Sequence, residues 1–163
     1  MNRAKAGILV LLLLGAGCGY QQGSLFPRNI QTVAVPAFQN NTFERGLEVA
    51  LSKAVIARIE GHSPYKVVPR SRADAVLEGE ITEATYRTAV RDFKTDLPRE
   101  QALHVTVDFV LKDLRTGQIL CERRNYQQQT MYYPPLGEGQ FVAAQRVAER
   151  LALGIVQELE ADW

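Results

Sequence analysis

The sequence predicts an α+β fold, a two-layer sandwich in which two helices pack on a mainly antiparallel sheet of about four to five strands. One observation is the alternation of apolar and polar residues from Leu103 to Leu111, the pattern of a strand with one buried face. Another is the recurrence of apolar residues every three or four positions in residues 43–59 and 141–159, which is typical of amphipathic helices. Since each layer has an apolar face, the two layers bury one another. The predicted order of elements is β-α-β-β-β-β-α.

The first strand and the first helix follow from residues 30–61. A compact apolar run starts at Ile30 and ends at Pro36, which predicts a buried strand. Asn41 is expected to cap the helix, because Glu44 follows three residues later as in a capping box. Gly61 is expected to end it. The buried stripe of this helix is predicted to consist of Phe43, Leu47, Leu51, Val55 and Ile59.

Four strands are expected between the two helices, at residues 65–69, 75–90, 103–112 and 119–130. The apolar positions of the second change face near residues 79–83, which predicts a β-bulge. Two loops are also expected. Arg91–Gln101 is charged and contains Pro98, and residues 131–139 are rich in Pro and Gly. The last helix is predicted to bury Phe141, Ala144, Ala148, Leu151, Ile155 and Leu159.

The N-terminus has the three parts of a secretory signal. Arg3 and Lys5 precede a mostly apolar run, and small residues lead to Cys18. The run is about half of the roughly 20 residues that a spanning helix needs, although a short anchor that stays attached is the alternative. The stretch ending in Cys18 resembles the lipobox of bacterial lipoproteins. That resemblance implies cleavage before Cys18, a diacylglycerol on its thiol and, because Gly19 follows, sorting to the outer membrane.

The remaining chain is organised as one domain. We expect a signal peptide at residues 1–17, a lipidated tether at 18–29 and a single periplasmic domain at 30–163. The whole sequence has 19 basic and 18 acidic residues, of which Arg3 and Lys5 are lost with the signal. The mature domain is therefore nearly neutral, which argues against nucleic acid as a partner.

The sequence has few signals of catalysis. Its two histidines, His62 and His104, have no metal-ligand spacing to Cys121 or to a carboxylate, and no P-loop or nucleophile elbow occurs. Asp92 and Asp96 could form a carboxylate pair, but a solvated loop explains them better. Cys121 lies in an apolar segment and is expected to be a buried, inert thiol. We therefore expect no enzyme, no cofactor and no metal.

An ordered set of features resembles the LPS-assembly lipoprotein family (LptE). The set covers nearly all of the mature chain. It consists of Cys18-Gly19-Tyr20, the strand Val33–Pro36 with Phe38 and Asn40–Thr42, the segment Ala73–Gly79, the long hairpin strands with Asp113–Gly117, and the final amphipathic helix.

This resemblance implies a function without chemistry. Members are outer-membrane lipoproteins that face the periplasm, plug the β-barrel translocon LptD, help it assemble and contact lipopolysaccharide. The expected partners are thus an LptD-like barrel, lipopolysaccharide and a membrane that holds the lipid anchor. The alternative is a periplasm-facing scaffold of a secretion or cell-wall machine, of the curli-secretion-like type. A periplasmic glycan-binding module is a more remote alternative.

Two sets of residues are candidates for contacts. Tyr126, Tyr132 and Tyr133 are barrel-contact candidates, because tyrosine suits an interface with one wet side. Arginine and lysine pair with the phosphates of lipopolysaccharide, arginine in a bidentate way. An ordinary solvated loop is the alternative, because acidic residues nearby leave a local excess of only one charge. The phosphate-binding candidates are Arg87, Arg91, Lys94, Arg99, Arg123 and Arg124.

Overall fold

Two helices and a mixed sheet make up the described part of the chain. A computed structural model describes residues 30–94, 97–136 and 139–161. The predicted signal peptide, Cys18 and the tether lie outside the described residues. The elements are β1 (Thr32–Ala34), β2 (Gln39–Asn40), α1 (Leu47–His62), β3 (Lys66–Val67), β4 (Ala75–Arg91), β5 (Pro98–Asp113), β6 (Ile119–Tyr132) and α2 (Gln140–Ala161).

The sheet combines parallel and antiparallel pairs. Its order is β3-β1-β4-β5-β6, and the short β2 pairs with β4 beyond β1. β1 is parallel to β3 and β4, whereas β4, β5 and β6 form an antiparallel meander. α1 connects β1 and β2 to β3 and so provides the crossover that a parallel pair requires. The predicted two-layer α+β fold is confirmed.

The meander strands are longer than the sequence predicted. β4 and β5 pair from Ala75 and Asp113 to Arg91 and Pro98, with a register shift between Ile81 and Glu83 at the predicted bulge. The prediction of a loop over Arg91–Gln101 is wrong, because β4 ends at Arg91 and β5 already begins at Pro98. Pairing across the hairpin satisfies the backbone of these charged residues, and Pro98 is tolerated as the first residue of its strand.

The core lies between the helices and one face of the meander. α1 contributes Leu47, Leu51, Val55 and Ile59, as predicted, and β5 contributes every second residue from Leu103 to Leu111. On α2, the prediction was wrong for Phe141, which is 75% exposed, and Ala143 and Val147 are buried near that end instead. Cys121 is buried, and its thiol lies 3.9 Å from the backbone oxygen of Glu158, as expected for a structural thiol.

The first helix begins later than predicted. It starts at Leu47, and its N-cap is Gly46, whose φ of 88° is in the left-handed region. Phe43 therefore precedes the helix and is fully exposed. Gly61 lies within the helix, which ends after His62. The residues between β2 and α1 form the turn in which the chain reverses direction. Phe43 lies in this turn, so its four-residue spacing from Leu47 matched the helical period by coincidence.

Candidate interaction surface at the hairpin end

The end of the meander at which β4 connects to β5 extends beyond the part of the sheet that α1 covers. β2 pairs with β4 at Glu80 and Ile81, and α1 begins shortly after β2 and runs away from the hairpin towards β3. The part of β4 that follows Ala84 therefore has less contact with α1. Its residues are half-buried up to Tyr86 and exposed from Arg87 to Arg91.

Large apolar side chains are exposed at this end, at the tips of the strands and in the segment that leads into α2. Phe93 is fully exposed, and Leu136 is 79% exposed. Val90, Tyr133 and Leu136 line a cavity of about 310 Å³ together with Arg99 and Glu100. The hairpin-end surface, as we call it, consists of Val90, Phe93, Leu97, Met131, Tyr133, Leu136 and Phe141. Exposed apolar clusters of this kind mark interaction sites in soluble domains.

Four of the predicted phosphate-binding residues lie at the same end. Arg87, Arg91 and Lys94 are exposed there, and Arg99 lies 3.9 Å from Asp92, which also accepts a hydrogen bond from the backbone of Lys94. The hairpin-end surface is thus apolar with a basic margin. The sequence pointed to the margin and to Tyr133 but not to the other members, because single apolar residues in a charged loop have no periodicity.

The other two predicted residues lie elsewhere. Arg123 and Arg124 are near Phe109 of the neighbouring strand, roughly 30 Å along β6 from the hairpin end. Arg123 Nε donates to Glu158 of α2 at 2.7 Å, and Arg124 Nε donates to Glu122 at 2.8 Å. The pKa of Arg124 is raised because Glu122 accepts this bond. The structure therefore groups four of the six basic candidates and separates two.

The three candidate tyrosines have different surroundings. Tyr132 is only 2% exposed, its hydroxyl donates to Gln101, and its ring packs edge-to-face on Tyr86 with centroids 6.1 Å apart. Burial raises the pKa of Tyr132. Tyr126 is half-buried and packs edge-to-face on Phe109, with centroids 5.9 Å apart. Tyr133, which is 39% exposed, is the candidate that presents a substantial surface.

A second concave surface lies on the sheet face opposite the helices. It encloses about 520 Å³ and is lined by residues of β4, β5 and β6 together with Pro36, Ala37, Gln39 and Arg70. Its charged groups pair within the chain, Arg70 with Glu78 and Arg124 with Glu122. The sequence did not indicate this surface, because the outer face of a strand has the pattern of an ordinary solvated surface.

The residues with catalytic potential are not assembled. His62 is exposed at the end of α1, His104 lies within β5, and Asp96 is outside the described residues. Among the residues that the structure describes, no three His, Cys, Asp or Glu side chains are grouped as metal ligands. No helix in the described ranges is both long and apolar enough to cross a bilayer.

These features define a class of protein, a two-layer α+β domain with a long antiparallel meander and an exposed apolar end. The hypothetical protein CT253 from Chlamydia trachomatis has this fold, with 11% identity, a TM-score of 0.57 and coverage of 82% of this chain and 97% of that one. Uncharacterised lipoprotein B from Nitrosomonas europaea is also similar, with 14% identity, a TM-score of 0.54 and coverage of 86% and 88%. At such identities the likeness shows the fold alone.

The family follows from a sequence match. A family model described as LptE, lipopolysaccharide-assembly, matches residues 30–160, which is most of the chain. The protein therefore belongs to the LptE family of lipopolysaccharide-assembly lipoproteins, and the resemblance found in the sequence is confirmed. No match is found among the curated proteins. The family is non-catalytic and works with the lipopolysaccharide transport machinery of the cell envelope.

Proposed function

We propose that this protein is held on the periplasmic face of the outer membrane by a lipid on Cys18, and that it plugs an LptD β-barrel. In that position it helps the barrel to assemble and assists the insertion of lipopolysaccharide into the outer leaflet. The proposal rests on membership of the LptE family, in which the resemblance implies these partners.

The hairpin-end surface is the observation that supports this proposal. A domain without a partner gains nothing from exposing Phe93, Leu136 and Phe141 at one end, whereas an interface buries such groups favourably. Aromatic residues and arginine are both enriched at protein interfaces. The basic margin is suited to phosphate groups on a ligand that passes the same end.

Site-specific photo-crosslinking in cells tests the barrel contact. A photo-reactive residue at Phe93 or Tyr133 in the full chain is expected to capture a large outer-membrane barrel protein, identified by mass spectrometry. The matched control is Ile119, which is also exposed but lies at the opposite end of the meander. Equal capture from Ile119 and Phe93, or capture only from the helices, would contradict the placement of the contact at the hairpin end.

The anchor is tested separately. Cys18→Ser removes the only nucleophile that the lipid can use at this position, so the variant is expected to remain as an unlipidated precursor. Metabolic labelling with a palmitate analogue measures the modification. Labelling of Cys18→Ser at the level of the unaltered protein would refute a lipid at Cys18.

A further inference from the structure

β6 is an edge strand in the part of the sheet that the structure describes. In the order β3-β1-β4-β5-β6, no strand among the described residues pairs with its outer side, and β6 is 14 residues long. Long edge strands pair readily with strands of other molecules, and natural proteins usually protect them with charges, proline, bulges or short length. A strand as long as β6 therefore needs protection along both of its halves.

The two halves of β6 differ in the charges that they carry. Glu122, Arg123 and Arg124 precede a bulge at Asn125, which has a φ of 55°. Charged side chains and a bulge both oppose pairing at an edge. The run from Asn125 to Tyr133, in contrast, contains no charged residue, no proline and no glycine. The side chains of this uncharged half therefore give its edge no protection of their own.

α2 runs alongside β6 in the opposite direction and contacts it on three successive turns. Arg150, Gly154 and Glu158 lie at intervals of four residues, so they share one side of the helix. Glu158 accepts a hydrogen bond from Arg123 at 2.7 Å in the charged half, and Gly154 lies against Tyr126 in the uncharged half. One side of α2 is thus held along β6 on both sides of the bulge.

Arg150, on the same side of α2, reaches the edge of the uncharged half. Its guanidinium donates a hydrogen bond to the backbone oxygen of Gln129 at 2.9 Å. This bond indicates that the carbonyl of Gln129 points away from β5. Because strand residues alternate in direction, the backbone groups of Gln127 and Met131 face the same edge. Gln129 lies midway between them, so a strand that added to this edge would have to displace the guanidinium from the middle of the new ladder.

We propose that Arg150 protects the uncharged half of β6 against pairing with other strands. It occupies the central acceptor of this edge with a charge-assisted hydrogen bond, and it brings a positive charge to a run that has none. Lysine on the strand itself has this role in many other sheets. Here the protecting group comes from a helix that packs beside the strand. The inference requires neither the barrel nor the lipid anchor.

Removal of the guanidinium tests the protection. In a purified sample the only strands available for pairing are those of other copies. Arg150→Ala in the full chain is therefore expected to self-associate, with an average mass that rises with concentration to about twice the monomer mass or more. Multi-angle light scattering, corrected for bound detergent, measures the protein mass. Glu149→Ala, at the exposed neighbouring position of α2, is the control and is expected to keep the mass of the unaltered protein.

A charge on the strand itself distinguishes edge protection from a purely structural role of Arg150. Gln127 is exposed, so Gln127→Lys added to Arg150→Ala is expected to return the mass to that of the unaltered protein. Gln145→Lys is the matched control, because it adds the same charge at an exposed position on the side of α2 that adjoins α1. Added to Arg150→Ala, it is expected to leave the self-association unchanged.

Four results would each overturn the inference. Arg150→Ala could have the mass of the unaltered protein at every concentration, or Glu149→Ala could associate to the same degree. Gln127→Lys could fail to restore the mass, or Gln145→Lys could restore it equally well. Circular dichroism shows whether each variant is folded. If Arg150→Ala does not fold, Arg150→Met is measured in its place with the same expectation, because it keeps an apolar stem but has no donor.

Discussion

At one position of α2, a contact with the sheet requires glycine. Gly154 is buried, and a Cβ at this position would overlap the hydroxyl and ring of Tyr126 on β6. Glycine costs about 1 kcal/mol relative to alanine within a helix. Tyr126, which also packs on Phe109, approaches so closely that a larger residue would not fit, and this explains the glycine.

Alanine at the two helical glycines should therefore have opposite effects. Gly154→Ala is expected to lower the free energy of unfolding by about 1–3 kcal/mol, because overpacking outweighs the helix propensity of alanine. Gly61→Ala is the control. It lies in α1 with open space around it, and it is expected to raise stability by up to about 1 kcal/mol. Urea unfolding measures both. Stabilisation by Gly154→Ala would show that Tyr126 does not approach the helix so closely.

Asp74 joins two distant parts of the sheet. Its Oδ2 accepts hydrogen bonds from the backbone of Gln31 and Thr32 at 3.1 and 3.0 Å, and from the Thr32 hydroxyl at 2.8 Å. The pKa of Asp74 is lowered, chiefly by the Gln31 N–H. Because the folded state favours the charged form, Asp74 stabilises the protein above the pKa of the unfolded chain. That contribution is lost as the pH falls through the lower, folded pKa.

The lowered pKa of Asp74 predicts how the stability of Asp74→Asn depends on pH. At neutral pH the variant is expected to lose about 1–3 kcal/mol of unfolding free energy, the range for bonds to a charged group. The difference from the unaltered protein should shrink as the pH is lowered below about 4, where the carboxyl of the unfolded chain takes up its proton. Urea unfolding at a series of pH values tests this, with exposed Glu60→Gln as the control. A difference that is constant with pH would contradict it.

At the scale of elements, the start of α1 depends on Asn40 rather than Asn41. Asn40 Oδ1 accepts bonds from the Thr42 N–H and hydroxyl at 3.0 and 2.7 Å. Its Nδ2 donates to the backbone of Glu44 at 2.8 Å and to Glu48 at 2.7 Å. These bonds form the turn between β2 and α1, and the bond from Asn40 lowers the pKa of Glu48. Asn41 is exposed and donates from its side chain to Glu80.

Alanine at each of these neighbouring asparagines distinguishes the predicted cap, Asn41, from Asn40, which holds the turn before the helix. Asn40→Ala is expected to cost about 1–2 kcal/mol of unfolding free energy, similar to the loss of a helix cap. Asn41→Ala should cost less than about 0.5 kcal/mol, as for most surface changes. Thermal or urea unfolding of the two variants measures the difference. A larger loss for Asn41→Ala would support the cap that the sequence suggested.

At the scale of the whole molecule, the distribution of basic residues determines how lipopolysaccharide could bind. Exposed ion pairs contribute about 0–1 kcal/mol each, so measurable binding needs several groups together. Arg87, Arg91, Lys94 and Arg99 are grouped at the hairpin end. Arg123 and Arg124 pair with acidic residues elsewhere.

Two double variants test this grouping. Arg91→Ala with Lys94→Ala is expected to weaken lipopolysaccharide binding several-fold at low salt, and the loss should diminish at high salt, where charges are screened. Arg123→Ala with Arg124→Ala is expected to have the smaller effect on binding. Binding by both variants at the level of the unaltered protein would exclude these basic groups as a site.

Much of the fold could be predicted because it is recorded in local patterns. The alternation in β5 and the stripe from Leu47 to Ile59 predicted which faces are buried, and both predictions are confirmed. The hairpin strands were underestimated because Arg91 and Pro98 oppose strand structure locally, and only pairing across the hairpin stabilises them. The basic margin and Tyr133 were candidates because of the partners that the family resemblance implied, whereas the other members of the surface were not predicted.

The two-layer α+β class and the LptE family could be predicted from the chain alone, because periodicity and ordered motifs are properties of neighbouring residues. Three features required the folded structure: Tyr132 is buried, Phe93 and Leu136 are exposed at the same end, and β6 is an edge strand in the described part of the sheet. Each of these depends on contacts between segments that are distant in the chain. Burial and exposure there are decided by which strand pairs with which and by how far a helix extends over the sheet, and no local pattern encodes that.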